Sequence, residues 1–482
     1  MDGRAGMSGF VARHGLWSDA QQAAAERLRR RVADGGIEAI RFAFPDQHGI
    51  LRGKTVLAGQ LDSFLRGGCA ITSTLLLKDT SHRTVVPLWT REAAPPENLR
   101  GGSDVVMVAD PETFHLLPWA PGTAGVLCDL HHPDGRPVAL ATRHVARSAL
   151  ARLAEAGFGY LGGLEVELHV FRLVDARLAT GAATQPGPAP SVALIGHGYQ
   201  YLTDQRLDQY GPVLDIVRET CAGLALPLRT MELEFGPGQI ELTFAPRPGL
   251  GLADDMVLLR SALKQALRRQ GYHATFMCRP ALDNCFSSGW HLHQSLFGAD
   301  GGNAFAPGEG EMLSPVARRF AAGLLAHARD GCVLTTPTVT GYKRYRPHSL
   351  APDGIAWGRD NRAAMLRIVP GTEPAAAHLE NRVGDPAANP YLYLASQILA
   401  GLDGIAQAME PPPVSETPYD GTIERLPASL AEAVALFRAS PFWRAALGED
   451  FVDYYARIKQ AEVDRFHAQV TDWEQREYFD IF

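Results

Sequence analysis

The sequence predicts an α+β fold in which a small, sheet-rich N-terminal unit precedes a much larger unit of alternating helices and strands. Three observations predict it. Short alternating or apolar runs separated by turn residues recur between positions 37 and 110. From about Val138 helical and strand periodicities take turns to the end of the chain. At roughly 150 residues per domain, a chain of 482 residues makes two or three domains, each able to bury its own core.

Taken in order, residues 1–17 read as a loose tail, and Ser18 caps a helix that runs to Ala33 and stops at Gly35-Gly36. IEAIRFAFPD (37–46), ILRGKTV (50–56) and DVVMVAD (104–110) read as strands of a small domain ending near Pro137. The expected divisions are 1–34 (tail and helix), 35–137 (sheet domain) and 138–482 (large domain). In the last, helices are expected over 141–156, 204–224, 252–270, 313–330, 390–409 and 428–475. Strands are expected over 163–171, 229–235, 239–244, 274–278, 289–296, 364–369 and 376–383. TQPGPAPS (184–191) and EPPPVSETP (410–418) carry prolines that suit exposed loops.

Composition narrows the function. Apolar residues make up 46% and charged residues 21%, which excludes disordered, collagen-like and low-complexity classes. With 46 Lys+Arg against 53 Asp+Glu, the net charge of −7 argues against general nucleic-acid or acidic-membrane binding. The six cysteines form no CxxC pair and read as reduced, mostly buried thiols. The first residues lack the apolar core of a signal peptide, and no run approaches the ~20 apolar residues of a membrane span. A cytoplasmic location is expected.

The chemistry concentrates on strand faces, because residues at i and i+2 point the same way. In GLEVELHVF (163–171), Glu165, Glu167 and His169 share one face, opposite Leu164, Val166, Leu168 and Val170. Alone, that is most often a solvated sheet face. The arrangement recurs in Glu232 and Glu234, in Gln239, Glu241 and Thr243, in His291, His293 and Ser295, and in His378, Glu380 and Arg382. Lysine is absent from all five segments. Converging carboxylates raise each other's pKa and require a compensating cation. Carboxylates with occasional imidazoles suit Mg²⁺ or Mn²⁺ better than zinc, and this many donors can serve two ions that clamp phosphoryl oxygens. Downstream, Arg344, Arg362, Arg367 and Arg382 supply forks for carboxylate or phosphate. No GxxxxGK[ST] or GxGxxG loop is present, so phosphates would be held by metal and arginine.

Five motifs in order resemble glutamine synthetase: Glu165-x-Glu167, the run from Glu234 to Glu241, Ser288-Gly-x-His-x-His-x-Ser295, Asn361-Arg-x4-Arg367, and Glu380-x-Arg382 ahead of DPAANPY (385–391). RFAFPDQHGILRGKTV (41–56) resembles that family's N-terminal β-grasp domain, and VTDWEQREYF (470–479) the ending of its amine-using branches. The resemblance implies a β-grasp domain followed by a catalytic domain with a curved antiparallel sheet and surrounding helices. It also implies a ligase in which ATP phosphorylates the γ-carboxylate of L-glutamate and an amine displaces the phosphate. By matching position it implies Glu167, Glu234 and Glu241 as ligands of one metal, and Glu165, His291 and Glu380 as ligands of a second. His293, Ser295, Arg362 and Arg367 would meet ATP, while Arg344, Arg382 and Ser287 would meet glutamate, with Arg344 and Arg367 serving catalysis. A homo-oligomer, two stacked hexameric rings forming a dodecamer, is implied as well.

The departures from the family pattern fall on the amine side. The Asp-Gly-Ser latch is absent from GGCAITSTLLLKD (67–79), leaving Asp79 as an unaligned substitute. Leu350 stands where the flap glutamate would be, and Phe286-Ser287 replaces an Asn-Gly. The family's adenylylated tyrosine has no match in PPPVSETPYDG (411–421). Ammonium must be bound as a cation and deprotonated, tasks for carboxylates, so acids lost and Phe and Leu gained favour a larger, less polar nucleophile. An aromatic amine such as aniline, neutral at pH 7, fits best against Phe286 and Leu350. Alkylamines and polyamines stay open, since Asp353 could serve a cationic amine. So do a packing role for Phe286 and Leu350, an ordinary ammonia-using enzyme, and an inactive structural or regulatory member of the family.

Overall fold

The computed structural model describes residues 9–86, 88, 99–346 and 350–482. The N-terminal sheet contains β1 (Ala39–Pro45), β2 (Leu51–Leu57), β3 (Cys69–Thr72), β4 (Asp104–Ala109), β5 (His115–Leu116) and β6 (Thr123–His131). Its order is β2-β1-β6-β4-β3, with β5 also on β6 and with β1 and β6 parallel. β1 alternates as expected, and Ile40, Phe42 and Phe44 are buried. β6 was not anticipated: TAGVLCDLH is covered over most of its length and reads as a nearly continuous apolar run. Residues 9–17 correct the expectation of a loose tail. Val11 is buried, and Trp17 Nε1 donates to the Ala109 carbonyl at 2.8 Å. The helix that follows, Asp19–Ala33, has Ser18 as its cap with Gln21 reciprocating.

The large sheet contains β7 (Gly159–Asp175), β8 (Ser191–Leu194), β9 (Leu228–Leu233), β10 (Gln239–Phe244), β11 (Arg247–Pro248) and β12 (Tyr272–Thr275). It continues with β13 (Trp290–Phe297), β14 (Trp357–Arg359), β15 (Leu366–Val369) and β16 (His378–Gly384). The order is β14-β15-β16-β13-β7-β10-β9, with β8, β11 and β12 also on β7. Only β14 and β15 pair in parallel, so the antiparallel expectation holds everywhere else in this sheet.

β7, 17 residues long, is the spine. Leu164, Val166, Leu168 and Val170 are at most 2% exposed, on a strand covered by helices Thr142–Glu155 and Gly251–Arg269. Each such burial contributes about 1.5–3 kcal/mol. A one-residue slip of β7 would forfeit all four and drive Glu165, Glu167 and His169 into the core, so the apolar face locks the polar face in place.

The expected helix over 428–475 is four helices: Leu430–Ala439, Pro441–Leu447, Glu449–His467 and Asp472–Tyr478. Ser440 caps the second just ahead of Pro441, Gly448 with φ of 90° opens the third, and Thr471 caps the fourth. The 204–224 segment likewise divides into Asp204–Gln209 and Gly211–Gly223 at Tyr210. Buried Arg143, on the helix Thr142–Glu155, ties the N-terminal sheet to the helix Gly251–Arg269. It bonds Asp254 at 2.9 and 3.0 Å, Asp129 at 2.9 Å and Asp110 at 2.8 Å. All six cysteines are free, and no helix among the described residues is long and apolar enough to cross a membrane.

Candidate active site

Strand register assembles the acids. Glu165 on β7 pairs opposite His291 on β13, Glu167 opposite Glu241 on β10, and Glu380 on β16 opposite both His293 and Arg367. His291 Nδ1 lies 2.5 Å from Glu165 Oε1, and His293 Nε2 lies 3.0 Å from Glu165 Oε2. His291 Nδ1 is also 3.5 Å from Glu380 Oε1. Two sets of donors each converge within 4.8 Å: Glu165, Glu241 and His291, and Glu165, His293 and Glu380. Both sets differ from the sequence expectation: the first joins Glu241 to Glu165 and His291 in place of Glu167 and Glu234, and the second has His293 in place of His291. Glu167 and Glu234 belong to neither set. Glu167 Oε1 is 3.9 Å from His291 Nε2, and Glu234 sits just past the end of β9 rather than inside a strand.

The charges show that these residues fit a divalent cation. Burial pushes the Glu241, Glu167 and Glu234 carboxyls up, and neighbouring acids push them further. Glu165 moves down despite burial, because His291 and His293 outweigh it. Four carboxylates therefore crowd a pocket with too little positive charge, a condition a hard cation relieves.

The arginines frame the acids. Arg367 donates to Glu380 Oε2 at 2.9 Å and to Asp360 Oδ1 at 2.9 Å, and Arg382 is paired with the other Glu380 oxygen. Arg344 is buried, donates to the Arg382 carbonyl at 3.0 Å and reaches His291 Nε2 at 3.4 Å. Arg382 Nε is buried with no hydrogen-bond partner among the described residues, a donor left for an anion. Arg362 is exposed, and its charge acts on Tyr201 and Asp360. Glu165, His293, Ser295 and Arg367 line a cavity of about 470 Å³, walled also by Leu161 and Val369. Ser287 Oγ accepts from Arg279 at 3.1 Å.

On the amine side, Phe286 is 39% exposed and its ring packs on Phe235 (centroids 5.3 Å apart) and edge-on against Tyr199 (5.9 Å). Phe235 in turn stacks on Tyr201 at 4.4 Å, and the Tyr201 hydroxyl feels Glu234 and Glu241. Leu350 is half-exposed with φ of 57°. It follows residues 347–349, so part of the expected RPHSLAP flap and the last residue of YKRYRP lie outside the described residues. Neither unaligned acid is free for an amine. Asp79 is buried, accepts from the Ser81 and Arg83 amides at 2.9 and 2.8 Å and pairs with Arg465 at 3.1 Å, while Asp353 holds Arg425 at 2.5 Å.

Residues 139–478 match the glutamine synthetase catalytic domain. The chain belongs to the glutamine synthetase family. It is 40% identical over 494 residues to a γ-glutamylanilide synthase of an Acinetobacter species, covering 98% of this chain and 99% of that one. It is 35% identical over 461 residues to a γ-glutamylethanolamide synthetase of Streptomyces coelicolor, covering 94% and 95%. A solved GmaS–ADP complex superposes with a TM-score of 0.78 at 27% identity, over 94% of this chain and 99% of that one. The Acinetobacter and Streptomyces relatives are named for amides of amines larger than ammonia.

Several neighbours of the site were not assigned a role from sequence. His378 donates through Nδ1 to the Ala376 carbonyl at 2.7 Å, an assignment that turns its Nε2 toward His293 Nδ1 at 2.9 Å. Gln239 Nε2 donates to Glu167 Oε2 at 2.7 Å. Alternation already sets both on the polar faces, and only the fold supplies their partners. Tyr199 and Tyr201 sit in a segment with no periodic signal, and only the fold brings them to Phe286 and Phe235.

Proposed function

We propose that the protein joins the γ-carboxylate of L-glutamate to an aromatic amine, consuming ATP. The observation that carries the reading is an exposed run of aromatic rings, Tyr199, Phe286, Phe235 and Tyr201, abutting Glu234 at the edge of the acid cluster. An arylamine is neutral at pH 7 and buries its ring against such a surface, whereas ammonium would call for carboxylates.

In this reading Arg344 and Arg382 orient glutamate and Arg362 and Arg367 bind the ATP phosphates. The nucleotide occupies the cavity lined by His293 and Ser295. By family position Glu167, Glu234 and Glu241 would hold one divalent ion, Mg²⁺ or Mn²⁺, and Glu165, His291 and Glu380 a second; the donors that converge within 4.8 Å are Glu165, Glu241 and His291 for one ion and Glu165, His293 and Glu380 for the other. Such ions supply positive charge to the phosphoryl oxygens. The glutamate γ-carboxylate attacks the terminal phosphorus and ADP departs. The amine nitrogen then attacks the acyl carbon, the carbon–oxygen bond to phosphate breaks, and the nitrogen's surplus proton leaves with the phosphate as the amide forms. Arg367 is placed to neutralise charge on the transferring group. The assembly expected from the family, a dodecamer of two hexameric rings in the cytoplasm, belongs to the same proposal.

Phosphate release measured with enzyme, MgATP and glutamate against aniline, ethylamine, putrescine and ammonia tests the reading. Aniline should give the highest kcat/KM, and turnover fastest with ammonia would refute it.

A further inference from the structure

His169 is fully buried on the same face of β7 as Glu165 and Glu167, and the chemistry above does not use it. It lies where three strands meet, paired opposite Gln239 on β10 and Thr275 on β12. Its two ring nitrogens reach the loop between β12 and β13 at two points. Nδ1 is 3.2 Å from Ser288 Oγ, and Nε2 is 3.7 Å from Cys285 Sγ. Cys285 and Ser288 bracket Phe286 and Ser287.

Counting donors fixes the direction of this network. Gln239 Oε1 accepts from the Gly236 amide at 2.8 Å, so its amide nitrogen is the end that donates, to Glu167 Oε2 at 2.7 Å and to Ser288 Oγ at 3.2 Å. The Ser288 hydroxyl proton is then free for His169 Nδ1. A neutral imidazole accepting at Nδ1 carries its proton at Nε2 and donates it to Cys285 Sγ, and the thiol donates to the Phe286 carbonyl at 3.1 Å. Every donor is used once. The chain of bonds runs without a break from an acid-cluster carboxylate to the backbone of Phe286.

We infer that His169 is a positioning residue that clamps both ends of the Cys285–Ser288 loop and so sets the place of Phe286 against the amine, tying the aromatic wall to Glu167. This rests on reading the Phe286 side as the amine pocket. The clamp is built into the floor of the site, since a Cβ on Gly236 would come within 3.1 Å of His169 Nε2 and 2.5 Å of Gln239 Oε1.

His169→Leu keeps the volume and removes both bonds; His169→Gln restores an N–H toward Cys285. Steady-state constants for aniline, glutamate and ATP are compared with thermal midpoints for wild type, both variants and Cys285→Ala. His169→Leu should raise the aniline KM about tenfold with the ATP KM changed less than about twofold, because displacing one wall of a pocket costs the group that packs on it. His169→Gln should recover most of that loss, and Cys285→Ala should raise the aniline KM about threefold through the loop alone. An unchanged aniline KM in His169→Leu, or equal shifts in all three constants that follow the midpoint, would overturn the inference. Should His169→Leu not fold, an unchanged aniline KM in Cys285→Ala would overturn it. Wild-type preference for ammonia would instead overturn the reading of the amine pocket, and the inference with it.

Discussion

Glu165, Glu167, Glu241, His291 and Glu380 stand on strands whose pairing fixes each of them, whereas Phe286, Tyr199 and Tyr201 stand on connecting segments and are 39–47% exposed. The first wall is held by main-chain ladders and by an apolar underside. The second is held by ring contacts and the short clamp through His169. The difference separates activation from selection. Acyl-phosphate chemistry needs charges placed to within fractions of an ångström, which a sheet supplies, while an acceptor pocket can vary in shape if its supports are local.

Mutation should separate the walls. The largest effects belong to the charged wall: Glu234→Gln and Arg367→Ala should each lower turnover by about 100-fold or more for every amine, with thermal midpoints near wild type. A loss confined to one amine would break the division. Next, Mg²⁺ or Mn²⁺ added to metal-stripped protein should raise the thermal midpoint, by an amount equivalent to about 2.7 kcal/mol at a hundredfold excess over Kd. In Glu241→Gln the rise should shrink markedly, read by differential scanning fluorimetry. Phe286→Ala should then cut kcat/KM for aniline about tenfold relative to ethylamine, leaving the glutamate KM in place. Equal losses for both amines would place the ring in packing instead.

Asp255 supplies a reference outside both walls. It is buried like the acid cluster but has a partner, Arg247 Nε at 2.9 Å, and burial still pushes it up to about 6. Its folded carboxyl keeps a proton that the unfolded chain releases near pH 4, so its contribution is present at low pH and lost as pH rises through about 6. The unfolding free energy of wild type minus that of Asp255→Asn should fall over that window by at most about 3 kcal/mol. Denaturant melts at pH 4 and 7 measure it, and a flat difference would show that Arg247 compensates fully.

Much of this was legible in sequence because a strand writes its two faces into alternate positions. Alternation alone sets Glu165, Glu167, Glu241, His291 and Glu380 on polar faces, and strand pairing brings those faces together. What parity cannot state is which strands lie side by side. His293 meets nucleotide only by family position, and the pairing of β13 with β16, which parity cannot give, also sets it beside Glu380. β6 escaped because it lacks alternation, and the 428–475 helix broke at proline and glycine whose stopping power depends on local caps. The clamp was illegible for a different reason: His169 and Cys285 are 116 residues apart, and nothing short of the folded chain relates them.

The unbroken 17-residue length of β7 bears on descent as well as on catalysis. Inserting or deleting a single codon within it would invert the identity of every position beyond the change, turning ligands into core and core into ligands. Lineages that acquire new acceptors are thus expected to do so by substitution in the β12–β13 connection, which no alternating face constrains, and to inherit the spine intact.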